Sequence, residues 1–177
     1  MTSFQTLKLG CGLALALTAG ISATPAVAQD NPTAIAVFDF ELEDASAGTG
    51  STGGRDRDGS YMDAVSAEVR RVIAQSGRYR LVDVAAATDP AVRDHALRHC
   101  NGCDAGIAAA LGAEQSLIGV VTRISSTEYE IGFRLRDARS GALITTQDSD
   151  LRMGANYAWS RGASRLIKDR LIETAAK

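Results

Sequence analysis

The sequence predicts an α/β fold, a single domain whose mixed sheet of about five strands carries helices packed against it. Three observations lead there. Leu117 to Ile124 is almost wholly apolar and rich in β-branched residues, as a strand buried on both faces is. Glu128 to Arg136 alternates, with Tyr129, Ile131, Phe133 and Leu135 on one side and Glu128, Glu130, Arg134 and Arg136 on the other. Met62, Val65, Val69, Val72 and Ile73 recur at helical spacing instead, and so do Trp159, Ala163, Leu166, Ile167 and Leu171.

Length and composition are those of one globular domain: 177 residues, 45% hydrophobic and 23% charged. Met1 to Ala28 has the plan of a bacterial secretory leader. Lys8 makes a weakly positive start, Leu9 to Ile21 is apolar, and Ala26-Val27-Ala28 offers the small residues that a signal peptidase reads. Cleavage before Gln29 then delivers residues 29–177 to the periplasm. Cys11 precedes most of the apolar run and has Lys8 three positions upstream, so it reads as part of the leader and not as a lipid-bearing cysteine. Losing Lys8 leaves 18 basic against 21 acidic side chains, a balance that offers no basic patch and argues against nucleic acid as a partner. No later stretch approaches about 18 consecutive apolar residues, so no transmembrane segment is expected in the mature chain.

Taken in order, Thr33 to Phe40 reads as the first strand, with Ile35, Val37, Phe38 and Phe40 as its apolar positions. Residues 44–59 are rich in Ser, Gly, Thr, Asp and Arg, with five glycines and no large apolar side chain, a flexible Gly-rich surface loop. Ser60 and Asp63 form a capping-box signal for the helix that Gly77 ends. Tyr79 to Val84 reads as a second strand. Asp89 and Pro90 fit an N-cap and first helical position, opening a helix toward His99. Asn101-Gly102 interrupts it, and Gly106 to Leu111 continues helically. Leu117 to Ile124 is the expected sheet centre. Asp137 to Gly141 is a turn with Gly at a left-handed position, which returns Ala142 to Asp150 antiparallel to Glu128–Arg136.

Several of these runs, taken together, are familiar. Cys100-Asn101-Gly102-Cys103, then Ala108 to Ala113 with its Leu-Gly-Ala, then Gly119 to Ile124, then Asp137-Ala138 with Gly141 resemble an uncharacterised family of bacterial periplasmic proteins, as does the opening Ile35 to Phe40. In order of elements that family is similar to the TolB amino-terminal domain and the curli secretion component. The resemblance implies a TolB amino-terminal-like fold used in envelope assemblies, with no catalytic residues carried over. It also implies a context near exported quinoprotein dehydrogenases. Fold alone confers no activity.

Cys100 and Cys103 admit three readings. An oxidising compartment favours a disulfide, and closing a four-residue loop removes about 2 kcal/mol of chain entropy. A redox role needs an accessible, low-pKa thiolate, which a helix N-terminus helps create. Metal binding is the third: His95 and His99, four apart on the expected helix, would share a face and join Cys100 and Cys103 as two nitrogens and two sulfurs. Haem attachment fails because Asp104, not His, follows Cys103.

Other candidates are weaker. The Gly-rich loop lacks the Gly-Lys-Ser/Thr ending of a phosphate loop, and Asp56 and Asp58 before Gly59 lack the remaining ligands of a calcium loop. Ser60, Ser116, Ser125 and Ser126 have no nucleophile-elbow glycines. Asp39 and Glu41 read as solvent-facing carboxylates at the end of the first strand, and Tyr157 and Trp159 as packing residues. With no acid, base or nucleophile set, the expectation is a non-enzymatic module without a cofactor, binding another envelope or periplasmic protein. The alternative is a redox or metal-handling accessory factor for an exported quinoprotein-type dehydrogenase system.

Overall fold

The computed structural model describes residues 31–46 and 55–174. The leader read over 1–28 and the cleavage before Gln29 lie outside the described residues, as do 47–54 of the Gly-rich loop.

Seven strands and four α-helices are formed among the described residues: β1 (Thr33–Val37), β2 (Glu41–Asp44), α1 (Arg55–Gln75), β3 (Tyr79–Val82), α2 (Pro90–Arg93), α3 (Cys103–Ala110), β4 (Gln115–Arg123), β5 (Glu128–Asp137), β6 (Leu143–Asp148), β7 (Arg152–Met153) and α4 (Trp159–Ile167). They make one mixed sheet in the order β3-β1-β4-β5-β6, with β2 added beside β4 and β7 beside β5. β1 runs parallel to β3 and β4, whereas β5 runs antiparallel to β4 and β6. The apolar strand β4 lies at the centre, as its composition predicts, and the additional strands are the short β2 and β7.

The sheet has two unlike faces. On one, Ile35, Val37, Leu117, Val121, Ile131, Phe133 and Leu135 meet the stripes of α1 and α4, including Val65, Val69, Ile73, Trp159 and Ile167. On the other, Ala36, Phe38 and Ile118 pack against Leu97, Ala108, Ala113 and Ala138 in a smaller cluster. The alternation of β5 and the helical periodicity of α1 and α4 thus share one cause: each presents a single apolar face to the larger core.

The expected first strand breaks. β1 stops at Val37, and the chain resumes as β2, pairing Glu41 with Val120 after Val37 has paired with Leu117. Four steps on one strand answer three on its neighbour, which is a one-residue bulge. It reverses the alternation, so Phe40 turns into the larger core while Glu41 turns to the opposite face. Phe40 reaches the space over Gly119, where a Cβ would lie 2.2 Å from its ring.

Other boundaries shift for local reasons. α1 begins at Arg55, so residues 55–59 of the expected loop are helical and Ser60 lies inside the helix, not at its cap. The second strand ends at Val82, because Asp83 caps a 3-10 turn by accepting from the Ala85 N–H. Asp89 does cap a helix, accepting from the Ala91 N–H, but α2 lasts only to Arg93. It closes by a Schellman pair, His95 N–H to Val92 O and Ala96 N–H to Ala91 O, with His95 left-handed at φ 48°. α3 starts earlier than expected, at Cys103, and closes the same way around Gly112 at φ 81°. The last helix passes into a π turn over Lys168–Ile172.

Gly119→Ala is expected to destabilise the fold by about 1–3 kcal/mol in urea denaturation, because the added methyl overpacks against Phe40. Shortening that ring in Phe40→Leu/Gly119→Ala recovers part of the loss; two strictly additive single changes would contradict this assignment.

Candidate functional site

Parallel strands carry their ligand-binding crevices beyond their carboxyl ends, and here a cleft opens at that end of β1. It holds about 550 Å³ and is bounded by β2, the early turns of α1 and the turn after α2, with Phe40, Leu42 and Met62 as apolar lining and Asp39, Glu41 and Asp58 among its carboxylates.

Each of those three carboxylates has a cation. Glu41, read from sequence as solvent-facing, is 4% exposed. Its carboxylate accepts from the Leu97 and Arg98 N–H groups at 2.6 and 3.1 Å and from the Arg98 guanidinium at 2.7 Å. The bulge is the reason: it turns Glu41 away from the larger core and under the 97–99 turn. The same turn is held from β5, where the Arg134 guanidinium donates to the Arg98 carbonyl at 3.0 Å. Asp39 remains half-exposed and pairs with Arg70 at 2.9 Å, while Arg70 also donates to the Val37 carbonyl, where β1 ends.

Arg123 organises the far wall. It bridges Asp58 at 2.7 Å and Asp44 at 3.1 Å, and its guanidinium lies 5.3 Å from the centre of the Trp159 ring. Asn156 donates to Asp58 at 3.0 Å, and Tyr129 meets Trp159 edge to face at 6.4 Å. The start of α1, the ends of β2 and β4 and the start of α4 are therefore tied through one cation. The Ser46 hydroxyl and, against some desolvation, the Ser46 N–H and Arg123 hold the Asp44 carboxyl below its usual range. Burial pushes the Tyr129 hydroxyl up.

The residues predicted for a metal site are not gathered as expected. His95 occupies the left-handed closing position of α2 and His99 a separate 3-10 turn, so the two do not share a helical face. The short α2 is what separates them. Among the described residues no group of three or more His, Cys, Asp or Glu side chains is arranged to hold a metal ion. Cys100 and Cys103 are joined as a disulfide. Next to them Asp104 is fully buried, accepting from the Ser116 hydroxyl at 2.6 Å and lying 3.7 Å from the Arg136 Nε. Ser116 is thus occupied structurally, and Ser125 donates to Glu128. Asp58, half of the suggested calcium signal, is committed to Arg123. Sequence reading missed Arg98, Arg123, Asp104 and Arg136, since an isolated charge carries no periodic signal.

Apolar side chains are also left exposed along β5 and β7. The Ile124 N–H donates to the Glu128 carbonyl, and Met153 pairs with Glu128 across β7, so Ile124 and Met153 flank one residue of β5. Ile124, Leu151, Met153 and Tyr157 are all exposed, Met153 at 73%.

Comparison with known proteins assigns the family. Residues 33–171 match the family DUF3280, described as protein of unknown function (DUF2380). The chain belongs to this family. No curated protein matches the sequence. Among solved structures, it is similar to the hypothetical protein CT253 from Chlamydia trachomatis, at 10% identity and TM-score 0.50 over 81% of this chain and 96% of that one. The LpoB C-terminal domain from Salmonella enterica aligns at 15% identity and TM-score 0.46, covering 70% of this chain and 84% of that one. TolB from Acinetobacter baumannii aligns at 14% identity and TM-score 0.45, over 81% of this chain and 29% of that one. At such identities the likeness concerns the fold. Among the described residues no helix of this DUF3280 member is long and apolar enough to cross a membrane.

Two outcomes follow for the cleft. Glu41→Ala strands two amides and a guanidinium under the turn and is expected to cost about 3–5 kcal/mol, read as a lower urea midpoint; a loss below about 1 kcal/mol would remove Glu41 from this role. Asp44 is depressed in the folded state, so its contribution is complete above the unfolded carboxyl value of 3.8 and is lost as pH falls through the lower folded value. Ser46→Ala should move the Asp44 carboxyl resonance titration upward in NMR; an unchanged titration would assign the depression elsewhere.

Proposed function

We propose that this protein is a non-enzymatic binding module of the bacterial periplasm that docks another envelope protein. The observation that carries the reading is the exposed pair Ile124 and Met153, which flank Glu128 of β5, with Leu151 and Tyr157 also exposed in the adjoining stretch of chain. Large apolar side chains left together in water favour association with a partner surface, and Met and Tyr are suited to such surfaces. The leader over 1–28 supports the compartment. The commitment of Asp39, Glu41 and Asp58 in the cleft to Arg70, Arg98 and Arg123 supports a binding role over acid–base chemistry at those three groups. Cleavage before Gln29 and the periplasmic address belong to this proposal.

Photo-crosslinking in intact cells tests it. A crosslinking residue at Met153 is expected to give one discrete adduct with another envelope protein, lost in Leu151→Asp/Tyr157→Ser while the thermal midpoint stays within about 2 °C. Recovery of well-folded protein with no adduct at Met153 or Tyr157 would overturn the docking surface. Amino-terminal sequencing of the mature protein that does not begin at Gln29 would overturn the leader assignment.

A further inference from the structure

The disulfide lies outside both surfaces described above, and three features of its surroundings go beyond what a crosslink needs. Cys103 is the first residue of α3, an eight-residue helix, so it sits at the positive end of the helix dipole. The Arg136 guanidinium lies against the intervening turn, 3.6 Å from where a Gly102 Cβ would stand, with the buried Asp104 as its counter-charge. Cys103 also lines a groove of about 560 Å³ whose other walls include Ala86, Ala87, Ile107, Ala110 and Leu111. Gly106, Ala86, Ala87 and Ala110 leave room there for an extended backbone beside Cys103, with Thr88 and Asp89 as its polar wall.

The fold has other means of holding this segment. Glu41 and Arg134 fasten the 97–98 turn, Asp104 anchors to Ser116, and α3 closes on Gly112. Closing so short a loop removes little chain entropy. A helix terminus and a neighbouring guanidinium are also the surroundings that favour a thiolate.

We propose that Cys100–Cys103 is a thiol–disulfide exchange site whose substrate is a cysteine-bearing extended segment of another protein, lying in the groove beside Cys103. A thiolate of the partner attacks the Cys103 Sγ, forming a mixed disulfide and expelling Cys100 as a thiolate that takes up a proton. A second partner thiol then attacks the partner's own sulfur in that bond and releases Cys103. The partner loses two electrons and two protons and gains a disulfide, while Cys100 and Cys103 end as two thiols. Run in reverse, the same steps oxidise the pair.

The test has one arm that needs no substitution. The oxidised wild-type protein, folded and without denaturant, is mixed with a synthetic peptide carrying two cysteines in an apolar extended sequence, and its thiols are counted by mass spectrometry. Reduction in the folded state is expected, and Ile107→Arg, which obstructs the groove, slows it about tenfold while leaving reduction by the small dithiol dithiothreitol unchanged. In the second arm the same peptide is first oxidised so that its two cysteines form a disulfide; the Cys103 thiolate of Cys100→Ser attacks that bond, expels one peptide thiol and is expected to hold the peptide as a mixed disulfide about tenfold faster than Cys103→Ser. A disulfide that both reductants reach only after unfolding, or an Ile107→Arg protein with unchanged peptide kinetics, overturns the proposal. If either serine variant fails to fold, the wild-type arm alone decides.

Discussion

The architecture turns on the single extra residue between Val37 and Glu41. Without it, the first strand would continue in phase along β4, with Glu41 facing the larger core behind Val37 and Phe40 on the opposite face. With it, the two residues exchange faces. Phe40 enters the larger core over Gly119, and a carboxylate arrives on the opposite face, where the 97–99 turn has two unsatisfied amides and an arginine. A buried carboxylate is tolerated there only because every oxygen has a donor. The long excursion from Asp83 to Gly112, made of short turns and helices, is thereby fastened to β2 and β5 as well as packed on the smaller core.

This arrangement bears on function through what it leaves free. The cleft at the end of β1 has the position of a ligand crevice, but its carboxylates Asp39, Glu41, Asp44 and Asp58 are engaged with Arg70, Arg98 and Arg123. Arg123 in particular joins β2, β4 and α1 at one point and packs on Trp159. The groups still available to other molecules lie elsewhere: the apolar side chains around β7, and the sulfur that borders the groove beside α3. One suits association, the other exchange, and they occupy different surfaces of the domain.

Where sequence reading erred, the errors have a common form. It treated Thr33–Phe40 as one strand because Ile35, Val37, Phe38 and Phe40 fill it with apolar side chains; the change of phase after Val37 that the bulge makes was not read. It extended the helix from Asp89 to His99 because no Gly or Pro intervened before Asn101, yet His95 took the left-handed closing position that Gly usually fills. That one residue separates the two histidines. It also began the long helix at Ser60, since the polar residues before it carry no apolar stripe, although a helix already packed along its later turns extends back to Arg55 at small cost.

What the sequence by itself determined was the set of faces: the central apolar strand, the alternating β5, the stripes of α1 and α4, and hence a mixed sheet with helices against it. These follow from periodicity, which is local and repeated, so many residues testify to each element. The partner of each charge was decided only in three dimensions. Glu41 and Arg98 are 57 residues apart, Asp58 and Asn156 98 apart, and their pairing depends on strand register and a one-residue bulge. No local pattern encodes those distances, because an ion pair is a single contact whose two halves are chosen by how the whole sheet is assembled.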